Sequence, residues 1–138
     1  MAMYIVLVSL ATASGGPKLL PPTAAITKND PVILTLSSPS TVYIDGCAPI
    51  ELERKVGEQW ELVASKVCPR AAPATRVDGA LTLTAPSVRD GEYRATVGWG
   101  QTCTDGVPFH LAMCRKFGLA RTESFFVGAP PPPPVPPP

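Results

Sequence analysis

Val42 to Val63 reads VYIDGCAPIELERKVGEQWELV, and its phasing decides the fold class. Ile50 and Leu52 alternate with Glu51 and Glu53, so an extended chain has one apolar and one charged face. A helix needs apolar residues three and four apart, and this pair is spaced by two. Arg54 falls on the apolar phase near the strand end, where its head can reach water. Val56-Gly57-Glu58-Gln59 supplies the turn, with Gly57 free to take positive φ. Trp60, Leu62 and Val63 are then expected to resume the apolar pattern. The stretch therefore predicts a short entry strand over 42–44 and an antiparallel hairpin, its return strand running from Trp60 to about Lys66.

Further strands are expected on both sides. Val32 to Leu36 (VILTL) is one, closed by the turn residues Ser37-Ser38-Pro39-Ser40. Ala80 to Thr84 alternates, with Leu81 and Leu83 inward. After Asp90-Gly91, the residues Tyr93, Ala95, Val97 and Trp99 share one face, and Glu92, Arg94 and Thr96 the other. Arg121 to Val127 is the expected last strand. Cys68 to Gly79 reads as loop. Residues 100–118 read as a long insertion in which Phe109, Leu111 and Met113 alternate in the manner of a short strand. With no convincing helix, about seven short strands and frequent turns predict an all-β, antiparallel sandwich over residues 32–128.

The ends have a different composition. Tyr4 to Leu10 is mostly apolar and Ala11-Thr12-Ala13 has the small-x-small form of a cleavage site, so residues 1–13 read as a signal peptide. No Lys or Arg precedes the run, and a buried first strand is the competing reading. The run is too short to span a bilayer as a helix. Residues 14–31, rich in Gly and Pro, read as a linker or edge segment. Residues 129–138 are nearly all proline and read as a polyproline II spacer, with a proline-motif ligand the less favoured reading.

Composition narrows the function classes. Twelve basic and eleven acidic side chains give a net charge of +1, and no basic cluster exceeds Arg115-Lys116. Nucleic acid and anionic membranes are not expected partners. Four cysteines suit an oxidising compartment, hence a secreted or periplasmic location. Of three pairings, Cys47–Cys68 and Cys103–Cys114 are favoured because each brackets its own hairpin or loop. Their spacing lacks a C-x-x-C pair, and His110 is the single histidine, so neither metal nor cofactor is expected. His110 matches no catalytic pattern, and Glu51 and Glu53 fit a solvated sheet face. No catalytic residue is assigned and an enzyme is not expected. The candidate contact residues are Phe109, His110, Leu111 and Met113 of the tethered insertion, together with Trp99. For Trp99 and Trp60 a core position is the favoured reading.

The Asp90-Gly91-Glu92-Tyr93 segment resembles the tyrosine corner of immunoglobulin-like sandwiches, although no cysteine stands two residues after Tyr93. The succession of Val32–Leu36, Val42–Cys47, Leu52–Trp60 and Gly91–Tyr93 resembles bacterial secreted immunoglobulin-like domains of no assigned activity. A more distant likeness is to small bacterial β-sandwich proteinase inhibitors. The resemblance carries no activity with it; with catalytic chemistry absent, a secreted, non-enzymatic binding or structural module of the cell envelope is expected by elimination, as a monomer with a protein or cell-envelope partner. A proteinase inhibitor presenting the 100–118 loop is the alternative.

Overall fold

The computed structural model describes residues 16–63, 68, 70, 72–129 and 135–137. The expected signal peptide, and most of the proline-rich tail, lie outside the described residues. Ten strands and one 3₁₀ turn are formed among the described residues. They are β1 (Lys18–Leu20), β2 (Val32–Ser37), β3 (Val42–Ile44), β4 (Ile50–Val56) and β5 (Gln59–Leu62). Then follow β6 (Thr75–Val77), β7 (Ala80–Ala85), β8 (Gly91–Cys103), the 3₁₀ turn Phe109–Leu111, β9 (Cys114–Arg121) and β10 (Phe125–Val127). The named strands pair antiparallel throughout, as a three-stranded sheet β1-β2-β7 and a seven-stranded sheet around β8. Buried side chains of both sheets form one core, so the fold is an all-β sandwich.

β8 organises the larger sheet. Its 13 residues are long enough to pair with two strands end to end on each flank. On one flank Tyr93 to Val97 pair with β4, and Trp99 and Gly100 with β3. On the other, Gly91 to Tyr93 pair with β10, and Thr96 to Cys103 with β9. Between β9 and β10 the chain leaves the ladder, and buried Thr122 bridges the gap. Its N–H donates to the Ala95 carbonyl at 2.9 Å and its Oγ1 accepts from the Ala95 N–H at 3.0 Å. Tyr93, Ala95, Val97 and Trp99 are all buried, as their common phase predicts. They meet Val32, Leu34 and Leu36 of β2 and Leu83 of β7 across the core. The Tyr93 hydroxyl donates to the Arg89 carbonyl at 2.7 Å, pinning the corner that leads into β8. Burial pushes the Tyr93 phenol pKa up.

Several expectations are corrected. Of the two readings for 14–31, the described part from Gly16 takes that of an edge segment, with β1 the edge strand of the smaller sheet and Ile26 bridging Val127, so the sandwich extends before residue 32. The expected loop over 68–79 contains β6, which pairs with β3. The expected last strand is two elements, β10 and the end of β9. Strands this short carry too few alternating positions to register as periodicity. In the hairpin, Gly57 has φ 63° and the two-residue turn sets the register Lys55↔Trp60 and Glu53↔Leu62. Directly paired residues share a face. Trp60 and Leu62 therefore stand on the charged outer face, not on the apolar phase with Leu52.

On that outer face Arg94 forms a forked pair with Glu53, Nε to Oε1 at 2.8 Å and Nη2 to Oε2 at 3.3 Å. The same guanidinium lies 4.5 Å from the Trp60 ring centre. The Arg94 hydrogen bond lowers the Glu53 pKa below its ordinary 4.5. A carboxylate with a depressed folded-state pKa adds stability above its unfolded pKa and loses it as pH falls through the folded value. Glu53→Gln should therefore cost about 1 kcal/mol at neutral pH. The difference from the parent should shrink as pH drops below 4.5. Denaturant titrations of both proteins across that range check this. A cost independent of pH would show that charge is not its origin.

Candidate functional site: the outer face of β9 and its tethered loop

β8 runs on to Cys103 and β9 begins at Cys114, so the expected 100–118 insertion shrinks to a loop over 104–113. The Cys103–Cys114 bridge closes this loop at its base. Phe109, Leu111 and Met113 do not form a strand: Phe109–Leu111 is a 3₁₀ turn, with the Ala112 N–H donating to the Phe109 carbonyl. The loop is fastened to the entry of the hairpin. The Tyr43 hydroxyl donates to the Asp105 carboxylate, which raises the Tyr43 pKa. The Ala74 N–H donates to the Val107 carbonyl at 2.8 Å, and Pro73 bridges Pro108. Asp45 holds the facing turn by accepting the N–H groups of Cys47 and Ala48, each at 2.9 Å. The second bridge, Cys47–Cys68, ties down the same end of the molecule.

The strand register then decides what faces solvent. Gly118 and Ala120 of β9 pair with Trp99 and Val97 and turn inward. Phe117, Leu119 and Arg121 consequently point outward, while the left-handed Thr102 (φ 54°) breaks the alternation beyond Lys116 and brings the Cys114 sulfur to the outer face beside Gly100. Gly98 stands opposite Leu119, and Gly100 opposite Phe117; the Phe109 ring edge and Leu119 lie over Gly98, and the Cys103–Cys114 sulfurs over Gly100. Phe109 leans back from the loop and meets Phe117 edge to face, ring centres 6.1 Å apart. Phe117 remains 57 % exposed, Leu119 70 %, Leu111 63 % and Met113 81 %. Beside them a shallow depression of about 220 Å³ is lined by Phe109, Leu119, Ala48 and Pro49, with Asp45 and Glu51 at its margin.

Of the residues singled out in the sequence, Phe109 packs on this face against Phe117, and Leu111 and Met113 are exposed on the disulfide-closed loop. His110 is exposed on the same turn and lines a neighbouring depression with Asp45, Ala48 and Pro108. Trp99 is 5 % exposed and belongs to the core, away from the loop side chains. Phe117 and Leu119 were not legible as contact residues. In Arg115-Lys116-Phe117-Gly118-Leu119-Ala120-Arg121 the large apolar residues face water and the small ones face the core, the reverse of the usual alternation. The flanking arginines on the phase of Phe117 and Leu119 were the available signal. Among the described residues there is no cluster of three or more potential metal ligands. Nor is any helix among them long and apolar enough to cross a membrane. Comparison with protein-family models, with curated proteins and with solved structures finds no match to this chain.

Proposed function

We propose that this chain is a secreted, non-enzymatic immunoglobulin-like module that binds a protein partner through the outer face of β9 and the 104–113 loop. The observation that carries the reading is the group of four exposed large apolar side chains, Leu111, Met113, Phe117 and Leu119, on a rigid ladder and a disulfide-closed loop. Exposed apolar side chains on one strand and on the loop that leads into it are of the kind found at interaction sites. Arg121 borders the patch, which suits a partner with an apolar centre and an acidic group at that edge. The strand order, a β1-β2-β7 sheet packed on one built around β8, and the Tyr93–Arg89 corner support the immunoglobulin-like assignment. Two disulfides support export to an oxidising compartment. The inhibitor reading is weaker, because a protease takes its inhibitor's loop as an extended strand and this loop carries a 3₁₀ turn at Phe109–Leu111.

Leu119→Asp and Met113→Asp test the reading. Both positions are exposed, so each variant should keep its stability within about 0.5 kcal/mol of the parent. Each should weaken partner binding by about tenfold or more, as loss of a central apolar contact does. Binding unchanged in both variants would remove the patch from the interface. Stoichiometric inhibition of a protease by the parent would favour the inhibitor reading instead.

A further inference from the structure

The depression beside Leu119 has a floor that packing does not require. That floor is Gly98, in the interior of β8, the central strand of the larger sheet. On one flank Gly98 pairs with Leu119; on the other it falls between Val97, which pairs with β4, and Trp99, which pairs with β3. Glycine inside a strand is unfavourable, because it loses the most backbone freedom on ordering and packs no side chain. The neighbouring strand glycines have steric reasons. A Cβ on Gly100 would stand 2.5 Å from the Cys114 sulfur, and one on Gly118 would run into the Trp99 ring. Gly98 has neither a positive φ nor a clash. A Cβ there would rest 3.8 Å from Leu119 Cδ2 and 4.0 Å from Phe109 Cε2, which are ordinary contact distances. The register with β9 also runs unbroken through it, so it is no bulge. The reason that remains for such a glycine is the close approach of another molecule.

The notch above Gly98 holds about 220 Å³. Sites for whole small molecules start at about 300 Å³, so this space suits one long side chain. Phe109 and Leu119 wall it on the loop side, Ala48 and Pro49 on the other. Both charged residues that line it, Asp45 and Glu51, are acidic. Asp45 Oδ1 accepts the Cys47 and Ala48 N–H groups, which leaves Oδ2 without a hydrogen bond among the described residues. Glu51 is exposed and forms no ion pair among the described residues. Arg121 stands beyond Thr96 in the same cross-strand row, its Nε donating to the Thr96 hydroxyl. Arg70 and His110 line the neighbouring depression that shares Asp45. Apolar walls suit an aliphatic stem, and the two carboxylates at the margin suit a cationic head.

We propose that this notch receives one basic side chain, arginine or lysine, of the protein that docks on β9, its stem between Phe109 and Pro49 and its cation on Asp45 and Glu51. The inference rests on the β9 reading for its partner, but the notch is testable without that partner. The test is titration of the full chain with the N-acetyl amides of arginine, lysine, citrulline and glutamate at constant ionic strength, followed by amide shifts. The two cations should give saturable shifts centred on Thr96, Gly98 and Phe109. Neutral citrulline should bind about tenfold more weakly, and glutamate more weakly still. Glu51→Gln should lower arginine affinity about fivefold and leave citrulline unchanged. Gly98→Val should abolish the shifts while its denaturant midpoint stays at or above that of the parent, because a β-branched residue replaces a strand glycine. If that variant does not fold, the ranking of the four probes on the parent protein decides. Absence of saturable shifts, or equal binding of arginine and citrulline, would overturn the proposal. The β9 reading would still stand or fall on Met113→Asp, since Met113 does not line the notch.

Discussion

Trp99→Ala should destabilise the protein by about 3–5 kcal/mol, the usual cost of truncating a buried aromatic. The indole is enclosed from several sides. A Cβ on Gly118 would lie 2.3 Å from Trp99 Cζ2, and one on Gly16 would lie 3.0 Å from the same atom. Gly118 is thus the position on β9 that admits the ring. Further variants separate shape from polarity. Gly118→Ala must displace the ring and should cost about 1–3 kcal/mol. In the double variant Trp99→Leu, Gly118→Ala, the two costs should not add, because the smaller side chain vacates the space the new methyl needs. The Trp99 Nε1–H is buried without an acceptor among the described residues. Trp99→Phe sheds that donor and should be much milder than Trp99→Ala. Denaturant midpoints measured on the parent, these variants and Trp99→Leu alone check this set. Strict additivity in the double variant would mean that Trp99 and Gly118 are not in contact.

Cys47→Ser should cost about 3 kcal/mol, the chain-entropy value for a loop of this length. Cys47 and Cys68 are 21 residues apart in sequence, with Cα atoms separated by 6.2 Å. The bridge closes the loop that contains the β4–β5 hairpin. Because β5 is an edge strand with one neighbour, its attachment rests on the ladder to β4 and on this tether. Unreduced peptide maps should recover Cys47 with Cys68 and Cys103 with Cys114, and the variant should expose one titratable thiol at Cys68. A Cys47–Cys114 peptide would contradict the topology.

Much of this architecture is legible in the residues, for a physical reason. Val32 to Leu36 and Tyr93 to Trp99 are buried on one face over several alternations, and burial over that length imposes a period of two. The hairpin was legible through Gly57, and the bridges through their bracketing of local elements. The phase of β5 was not. A two-residue turn fixed the register, and the register put Trp60 and Leu62 on the face where Arg94 and Glu53 stand. Residues on an edge strand need not follow the apolar pattern of the centre, because one side of the ladder is open. β9 escaped for a related reason. Trp99 fills the interior opposite Gly118, so the core asks for small residues there and leaves Phe117 and Leu119 to the outside. The same inversion hid half of the candidate surface. The other half, Phe109, Leu111 and Met113, was visible because disulfide-closed loops on a rigid sheet are places where recognition concentrates.

A photo-reactive amino acid placed at Phe117, and in a second protein at Thr82 on the exposed face of β7, tests the central claim most directly. Both should be exposed to the extracytoplasmic fraction of the cells that make the protein. The β9 account predicts one discrete crosslinked partner from position 117, lost when Leu119→Asp is added, and none from position 82. A partner captured from position 82, with none from 117, would contradict it.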